Sequence, residues 1–311
     1  MDASDSSPPD SGRRAVLRGL ATGGALVAVG GVTAAATGGM GEAAADTLAT
    51  LVQPHFQRMT QVEIEAALRR IERQAVRDHG AAISCDAVPP MEGVTFGFAI
   101  NLSKCKGTRK CVEACVRENN SGRDGTLQNI RVLALPADTM RLDAADPYYD
   151  TATVPQPGTR YLPIQCQQCA DPPCVQACPV QATWTEPDGI VVIDYDWCIG
   201  CRYCAVACPY WARHFNWGRP SLPAGEITPR THYLGNRPRP RGVMEKCTFC
   251  LQRTRRGLLP ACLEACPTGA RVFGNLLDPN SDVRHVLANK PVFRLKEHLE
   301  TNPKLWYFTD G

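Results

Sequence analysis

Apolar and polar positions alternate at helical spacing in one stretch ahead of the cysteine-rich part of the chain. Thr60 followed by Glu63 fits the capping box that begins many helices. The pattern predicts an amphipathic helix over residues 60–79, which could pack on its own domain or form an arm that binds a partner. The apolar positions on its predicted face are Ile64, Leu68, Ile71 and Ala75.

Short apolar runs predict strands farther along the chain. Residues 182–185 and 190–193 flank the turn sequence Pro187-Asp188-Gly189, which predicts a β-hairpin. Toward the end, the pattern predicts a helix after residue 278 and a strand over residues 292–295. The aromatic segment 305–308 is expected to anchor packing.

Two connections are polar and irregular, and neither contains a cysteine. Residues 121–164 are rich in proline and aspartate. Residues 213–243 carry several arginines among prolines and glycines. Long irregular segments in compact domains are often functional, so the second connection is predicted to be either a docking surface for a partner or a solvated loop. Its arginines are Arg219, Arg230, Arg237, Arg239 and Arg241.

The first 45 residues are predicted to be an export signal. Arg13 and Arg14 fit the twin-arginine pattern, and the glycine-rich stretch that follows is too weakly apolar for a confident membrane helix. Small residues at 43–45, or alternatively 34–36, suit cleavage. The twin-arginine route carries folded proteins, so we expect a periplasmic protein that acquires its cofactors before export. A disordered basic tail is the alternative.

Composition excludes several classes of function. The chain has 34 basic and 31 acidic residues, and they form no basic stripe with interleaved aromatics, so nucleic acid is not an expected partner. It also lacks a glycine-rich nucleotide loop and a clear Ser/His/Asp or Cys/His nucleophile set. We therefore expect no organic substrate, and a role other than catalysis.

Fifteen of the sixteen cysteines fall into four groups with iron–sulfur spacing. The third group is the bacterial ferredoxin run Cys-x2-Cys-x2-Cys-x3-Cys-Pro without a departure. The second and fourth groups contain insertions, and in the first a threonine replaces the second cysteine. Cys85 stands apart and is expected to be unpaired. In chain order the groups are Cys105, Thr108, Cys111 and Cys115; Cys166, Cys169, Cys174 and Cys178; Cys198, Cys201, Cys204 and Cys208; and Cys247, Cys250, Cys262 and Cys266.

The spacing has a geometric basis. Three cysteines on a tight turn can bind three corners of one cube, while the fourth, predicted to begin a short helix, reaches the neighbouring cube. Zinc is an alternative for Cys-x2-Cys pairs, but zinc sites use two such pairs rather than triplets with a fourth cysteine before proline. Disulfides are disfavoured because cysteines this close rarely form unstrained bridges.

The repeated Cys-Pro-x-x-Ala endings at residues 178–182, 208–212 and 266–270 indicate duplication of a ferredoxin unit. We predict an α+β fold of duplicated two-cluster ferredoxin-like modules with long loop insertions and an N-terminal helix. The expected divisions are a signal at 1–45, a helical arm at 46–93 and a four-cluster domain at 94–311. The inner module, about residues 160–215, would be inserted between the motifs of an outer module.

Four stretches resemble a known family. They are DYDWCIGCRYC at 194–204, PYWARHFNW at 209–217, THYLGNRP at 231–238 and EKCTFC at 245–250. Over residues 94–311 the chain resembles the four-cluster iron–sulfur subunits of the DMSO-reductase type, which are electron-transfer partners of molybdopterin oxidoreductases.

In that family the first motif pairs with the last and the second with the third. The resemblance therefore implies three complete centres and one incomplete centre. Their ligands would be Cys166, Cys169, Cys174 and Cys208; Cys198, Cys201, Cys204 and Cys178; Cys247, Cys250, Cys262 and Cys115; and Cys105, Cys111 and Cys266 beside Thr108.

Thr108 changes the expected cofactors. A neutral hydroxyl is a poor iron ligand beside three thiolates, so we expect three [4Fe–4S] clusters and one [3Fe–4S] cluster. A fourth iron held by water or by Thr108, or an empty site, are the alternatives.

The twin-arginine signal, together with the motifs, resembles the periplasmic subunits of membrane-bound complexes of dissimilatory sulfur metabolism. The implied partners are an integral-membrane quinone-interacting subunit and a cytochrome or other redox subunits. An electron-transfer subunit of a molybdopterin reductase for tetrathionate, thiosulfate or polysulfide is the alternative. A zinc-binding or disulfide-stapled interaction protein is a remote third.

Overall fold

The computed structural model describes residues 59–125 and 127–310, which all belong to one compact unit. The predicted signal and the first part of the predicted arm lie outside these residues. No helix in the described part is long and apolar enough to cross a membrane. The described helices are α1 Gln61–His79, α2 Lys110–Glu118, α3 Pro173–Gln176, α4 Tyr203–Val206, α5 Leu251–Thr254, α6 Ala261–Glu264 and α7 Asp282–Asn289.

Helices and strands are interspersed, which confirms an α+β fold. Short 3₁₀ turns occur at Leu142–Ala144, Ala224–Glu226 and Glu297–Leu299. The strands are β1 Ser84–Asp86, β2 Phe96–Asn101, β3 Arg131–Pro136, β4 Thr159–Ile164, β5 Thr183–Thr185, β6 Val191–Ile193, β7 His214–Phe215, β8 Arg230–His232, β9 Met244–Glu245, β10 Arg271–Asn275, β11 Val292–Phe293 and β12 Leu305–Phe308.

The largest sheet has the strand order β10-β2-β12-β11. β2 is buried along its whole length, with β10 antiparallel on one side and β12 parallel on the other. Phe98 and Ile100 of β2 are fully buried in the main core. This sheet joins the segment before the first cysteine motif to the segment after the last one. It also confirms that the aromatic end of the chain is a packing anchor.

Helix α1 begins and ends as its sequence predicts. Thr60 and Glu63 form the capping box, and Gly80 closes the helix in the left-handed region at φ 65°. Ile71 and Ala75 are buried against Leu222 and Ile227 of the later irregular connection. The helix therefore packs on its own domain, and the hypothesis of a partner-binding arm is wrong for this face.

The segment after α1 also belongs to the domain. β1 pairs in parallel with β8, with Cys85 opposite Thr231. Cys85 is a buried, unpaired thiol, and burial raises its pKa to about 11. The predicted boundary at residue 94 thus separates two parts that share a sheet and a core.

The predicted hairpin is present as the antiparallel pair β5–β6, with Gly189 in its turn at φ 78°. The connection at 121–164 is less irregular than expected. It contains the antiparallel pair β3–β4, whose Val132, Leu135 and Leu162 enter the main core. The predicted strand at 292–295 is shorter, covering only Val292–Phe293.

Candidate iron–sulfur centres

The loops between the first two ligand positions share one backbone feature. The residue just before the second position has a positive φ in all four motifs: Gly107 at 74°, Gln168 at 47°, Gly200 at 71° and Phe249 at 52°. This left-handed residue turns the chain so that the side chains at the first and second ligand positions can face the same centre. The motif with Thr108 keeps the turn, so its backbone is arranged like those of the complete motifs.

Two of these turns require glycine for a second reason. A Cβ on Gly200 would overlap the carbonyl oxygen of Gly242, and one on Gly107 would overlap the ring of Tyr161. Both loops therefore pack closely against other parts of the protein. This packing fixes the direction in which the adjacent ligand side chains point.

Short helices position the third and fourth cysteines. Cys174, Cys204 and Cys262 lie within α3, α4 and α6, and Cys178, Cys208 and Cys266 follow shortly after those helices end. The expectation that the fourth cysteine begins a helix is wrong. The third cysteine lies in the helix instead. The fourth cysteine comes four residues later, so at about 1.5 Å per residue it lies roughly 6 Å farther along the helix direction.

The fold brings the fifteen motif cysteines into four groups of neighbouring thiols. Cys105 lies near Cys111 and Cys266, and Cys115 lies near three cysteines of the last motif. We call these the Thr108 centre and the Cys247 centre, and together the outer module. The other two are the Cys166 centre and the Cys198 centre, together the inner module. The four groups are Cys105, Cys111 and Cys266 with Thr108; Cys115, Cys247, Cys250 and Cys262; Cys166, Cys169, Cys174 and Cys208; and Cys178, Cys198, Cys201 and Cys204.

Electrostatic interactions between thiols of different groups put the four centres in one order. Cys262 interacts with Cys111 and Cys266 of the Thr108 centre. Cys247 interacts with Cys166, and Cys204 interacts with Cys174. The centres therefore follow one another from Thr108 to Cys247 to Cys166 to Cys198. An electron could pass along this series through neighbouring groups.

Burial makes thiolates costly in most of these positions. It raises the pKa of Cys105 to about 11 and that of Cys169 and Cys247 to about 12. Cys266 shows the opposite shift. Burial acts to raise its pKa, but hydrogen bonds from Thr268 and Ala270 outweigh burial and lower it. A bound metal would keep such buried sulfurs deprotonated.

Buried ammonium groups fit an anionic cofactor. Lys246 and Lys304 are 1% and 7% exposed, and their amines donate to the carbonyls of Cys247 and Cys169. In the described part of the chain, neither amine lies within ion-pairing distance of a carboxylate. Buried charges normally have a counter-charge, and both amines interact with Cys166. A thiolate-ligated cluster, which carries negative charge, would supply that partner.

No three His, Cys, Asp or Glu side chains among the described residues converge on a point suited to one metal ion. The ligands of a cubane bind four different irons, so they need not converge in this way. A small cavity of about 20 Å³ does lie at the Thr108 centre, lined among others by Cys105, Thr108, Cys111, Cys266 and Arg271.

Two of the five candidate docking arginines in the arginine-rich connection are buried rather than exposed. Arg237 and Arg239 are 3% and 2% exposed, and each packs over the ring of Tyr195. Carboxylates balance them, since Arg237 pairs with the partly exposed Asp196 and Arg239 with the buried Glu245. These two arginines stabilise the connection from inside, so they are not a docking surface, whereas Arg219, Arg230 and Arg241 are exposed.

Two arginines beside the cysteines were not anticipated from the sequence. Arg213 and Arg271 are each the fifth residue after the last cysteine of a motif, and both contact cysteine sulfurs. The signal was present as a repeat, because Cys-Pro-x-x-Ala-Arg occurs twice.

These features define a class. The chain is a ferredoxin-like iron–sulfur protein, whose chemistry is the transfer of electrons. A family model described as a 4Fe-4S dicluster domain matches residues 158–225 and 234–276, and a second model of the same description matches residues 104–182.

Curated relatives define the family more closely. A protein of Halobacterium salinarum, named as the iron–sulfur subunit of a dimethyl sulfoxide reductase, is 42% identical over 68% of this chain and 78% of its own. The menaquinone reductase iron–sulfur cluster-binding subunit of Nitratidesulfovibrio vulgaris is 37% identical over 70% and 89%. The Hdr-like menaquinol oxidoreductase iron–sulfur subunit 1 of Archaeoglobus fulgidus is 39% identical over 63% and 71%. The chain belongs to this family of iron–sulfur subunits of oxidoreductase complexes.

Proposed function

We propose that this protein is the electron-transfer subunit of a membrane-bound, quinone-interacting complex of dissimilatory sulfur metabolism, and that it has no catalytic site of its own. The arrangement of four neighbouring centres in one series carries the proposal. Within the family, its sequence resembles DsrO, the periplasmic iron–sulfur subunit of the DsrMKJOP complex. Two of the relatives are named for menaquinone or menaquinol chemistry, which supports a quinone-interacting partner.

The proposed cofactors are three [4Fe–4S] clusters at the complete centres and one [3Fe–4S] cluster at the Thr108 centre. The fifteen motif cysteines would be the ligands. The left-handed turn at Gly107 supports a cluster at the Thr108 centre, because the loop keeps the backbone of the complete motifs. When bound, the clusters supply one-electron chemistry, and the protein residues hold them in sequence and set their surroundings.

The proposed partners are an integral-membrane subunit and a cytochrome or another redox subunit. The Cys198 end of the series supports contact with such a partner. Cys201 is exposed there, and large apolar side chains surround it along the chain. Such surfaces on soluble proteins often mark interaction sites. The exposed apolar residues within residues 197–206, which we call the Cys201 surface, are Trp197, Ile199, Tyr203 and Val206.

We further propose that the protein works in the periplasm and reaches it by the twin-arginine route. Arg13 and Arg14 support this route, and cluster assembly before export is consistent with a pathway for folded proteins.

Purification of the native complex from membranes tests the function. A quinone-type membrane subunit and a multihaem cytochrome that copurify with this chain would support the sulfur-metabolism complex. A large molybdopterin subunit would instead support the alternative, a reductase for tetrathionate, thiosulfate or polysulfide. Iron and acid-labile sulfide analysis tests the class itself, since zinc without sulfide would refute an electron-transfer role.

A further inference from the structure

Five described arginines are more than nine-tenths buried, and they fall into two kinds. Three have carboxylate partners: Arg237 pairs with Asp196, Arg239 with Glu245, and Arg255 with Asp188 at 2.8 Å. Arg213 and Arg271, each 5% exposed, make no ion pair with a carboxylate in the part of the chain described. Their charged partners are cysteine sulfurs.

Arg213 lies between the two centres of the inner module. Its Nη2 donates to Sγ of Cys174 at 3.0 Å and to Oγ1 of Thr183 at 3.0 Å. The same guanidinium interacts with Cys204 of the Cys198 centre. Nε and Nη1 are buried without a protein hydrogen-bond partner, so donors remain available for a group bound between the centres.

Arg271 has the corresponding place in the outer module. Its Nη1 donates to Oε1 of Gln165 at 2.8 Å and approaches Sγ of Cys262 at 3.6 Å. It also interacts with Cys105 and Cys111 of the Thr108 centre. Nη2 is buried without a protein hydrogen-bond partner. The guanidinium is thus adjacent to both centres of its module.

The two positions are equivalent in the sequence repeat. Each arginine follows the last cysteine of a motif by five residues, at or just before the strand that begins there. In the second motif the same position is Thr183, which accepts the hydrogen bond from Arg213. Each module therefore has one such arginine from its later motif, although the two copies differ in the residues around them.

We propose that Arg213 and Arg271 are positioning residues, each of which raises the reduction potentials of both centres in its own module. A guanidinium stays protonated in proteins. Reduction adds negative charge to a cluster, so a fixed positive charge and hydrogen bonds to its sulfurs favour the reduced form. Because each arginine contacts a sulfur of one centre and interacts electrostatically with the other, it affects both steps of electron transfer in its module together.

This inference rests on the proposed function, because it requires clusters at the four centres. The test uses the full-length protein with its clusters, the variants Arg213→Met and Arg271→Met, and the charge-retaining variants Arg213→Lys and Arg271→Lys. Iron and sulfide content are measured first. The midpoint potentials of all centres then come from EPR-monitored redox titration.

We expect Arg213→Met to shift two potentials to more negative values and Arg271→Met to shift the other two, including that of the Thr108 centre. Each variant is the matched control for the other. The lysine variants should stay closer to wild type. Full iron content with unchanged potentials in both methionine variants would overturn the proposal, as would an equal shift of all four centres in either one.

If a methionine variant loses iron, the lysine variant at the same position distinguishes an effect on the reduction potentials from a structural role. Full iron and near-wild-type potentials in the lysine variant support the proposal. Full iron with potentials shifted strongly negative, or loss of iron from both variants, would assign the arginine a structural role instead. A wild-type protein without iron and sulfide would refute the proposed function before any variant is compared.

Discussion

The backbone at Thr108 is arranged like that of a cluster ligand, but its side chain is a neutral hydroxyl that binds iron poorly. The turn before it matches those of the three complete motifs, and it lines a cavity with three cysteines of its centre. The difference between this centre and the others therefore comes from one side chain rather than from a rearranged loop.

Restoring cysteine at this position should convert the centre. We expect Thr108→Cys to remove the EPR signal of an oxidised three-iron cluster and to raise iron content by about one atom per chain. EPR of the oxidised protein and iron analysis are the measurements. Thr185→Cys, on an exposed strand position, is the control and should change neither. An oxidised wild type that is EPR-silent and already carries a full set of irons would contradict this expectation.

Residue types differ in how much the sequence alone reveals. Cysteine spacing is a local property, so it indicates both the cofactor and the incomplete motif. The Cys-Pro-x-x-Ala-Arg repeat sets Arg213 and Arg271 apart from Arg237 and Arg239, but it does not show what the guanidinium groups contact. Only the folded chain distinguishes a guanidinium beside sulfur from one beside a carboxylate.

At the scale of elements, α1 is held by a small core of its own. Ile71 and Ala75 pack with Leu222 and Ile227, and β1 continues the contact by pairing with β8. The N-terminal segment thus covers the connection that leads to the last cysteine motif.

Removing one side chain from this small core should loosen α1 without disturbing the clusters. We expect Ile71→Ala to cost about 2–5 kcal/mol of local stability, because it leaves a cavity at a buried position. Hydrogen exchange at residues 61–79 should accelerate, while iron content stays the same. Val76→Ala changes a side chain that is 53% exposed on the same helix and should have little effect. Equal exchange in both variants would show that the packing contributes nothing.

Secondary-structure elements could be predicted where a few adjacent residues determine them. The capping box of α1 and the turn of β5–β6 each lie within a few residues. The pair β3–β4 was missed because its strands flank a long proline-rich segment, and the pair β1–β8 because its partners are far apart in sequence. Neither pair has a short turn that would reveal it.

At the scale of the whole molecule, the Cys201 surface should contribute to assembly. We expect Tyr203→Ser to reduce the fraction of the protein that stays with membranes when its partner subunits are coexpressed, because apolar area is lost from the contact. Tyr148→Ser is the control, since Tyr148 is 89% exposed and lies outside that surface. Membrane fractionation with quantitative blotting measures both, and equal retention would place the contact elsewhere.

Export is a separate property of the whole molecule. Replacing Arg13 and Arg14 together by lysine should leave folded, cluster-loaded protein in the cytoplasm, because the twin-arginine pair is lost. Arg18→Lys is the matched control. Cell fractionation followed by optical absorption of the clusters gives the result, and unchanged periplasmic holoprotein in the double variant would exclude this route.

The architecture was predictable only in outline. The motifs indicate an α+β ferredoxin-like protein with several centres, and the family comparison supports that class. The order of the centres depends on long-range neighbours such as Cys247 and Cys166, whose thiols interact electrostatically. Spacing along the chain does not determine such contacts, so the series emerged only from the structure.

Strand β2 comes before every motif cysteine, yet both of its neighbours, β10 and β12, come from the last part of the chain. A ribosome therefore releases β2 long before either partner exists. Its apolar residues have no strand partner until β10 has emerged, and the second side of β2 stays open until residue 308 has emerged. The ligands of the inner module are complete much earlier, since its two motifs and its hairpin lie between residues 160 and 215. We expect clusters to be inserted there first, and the outer module to close only after β12 has been translated. A prematurely terminated chain would then carry inner clusters on an open sheet.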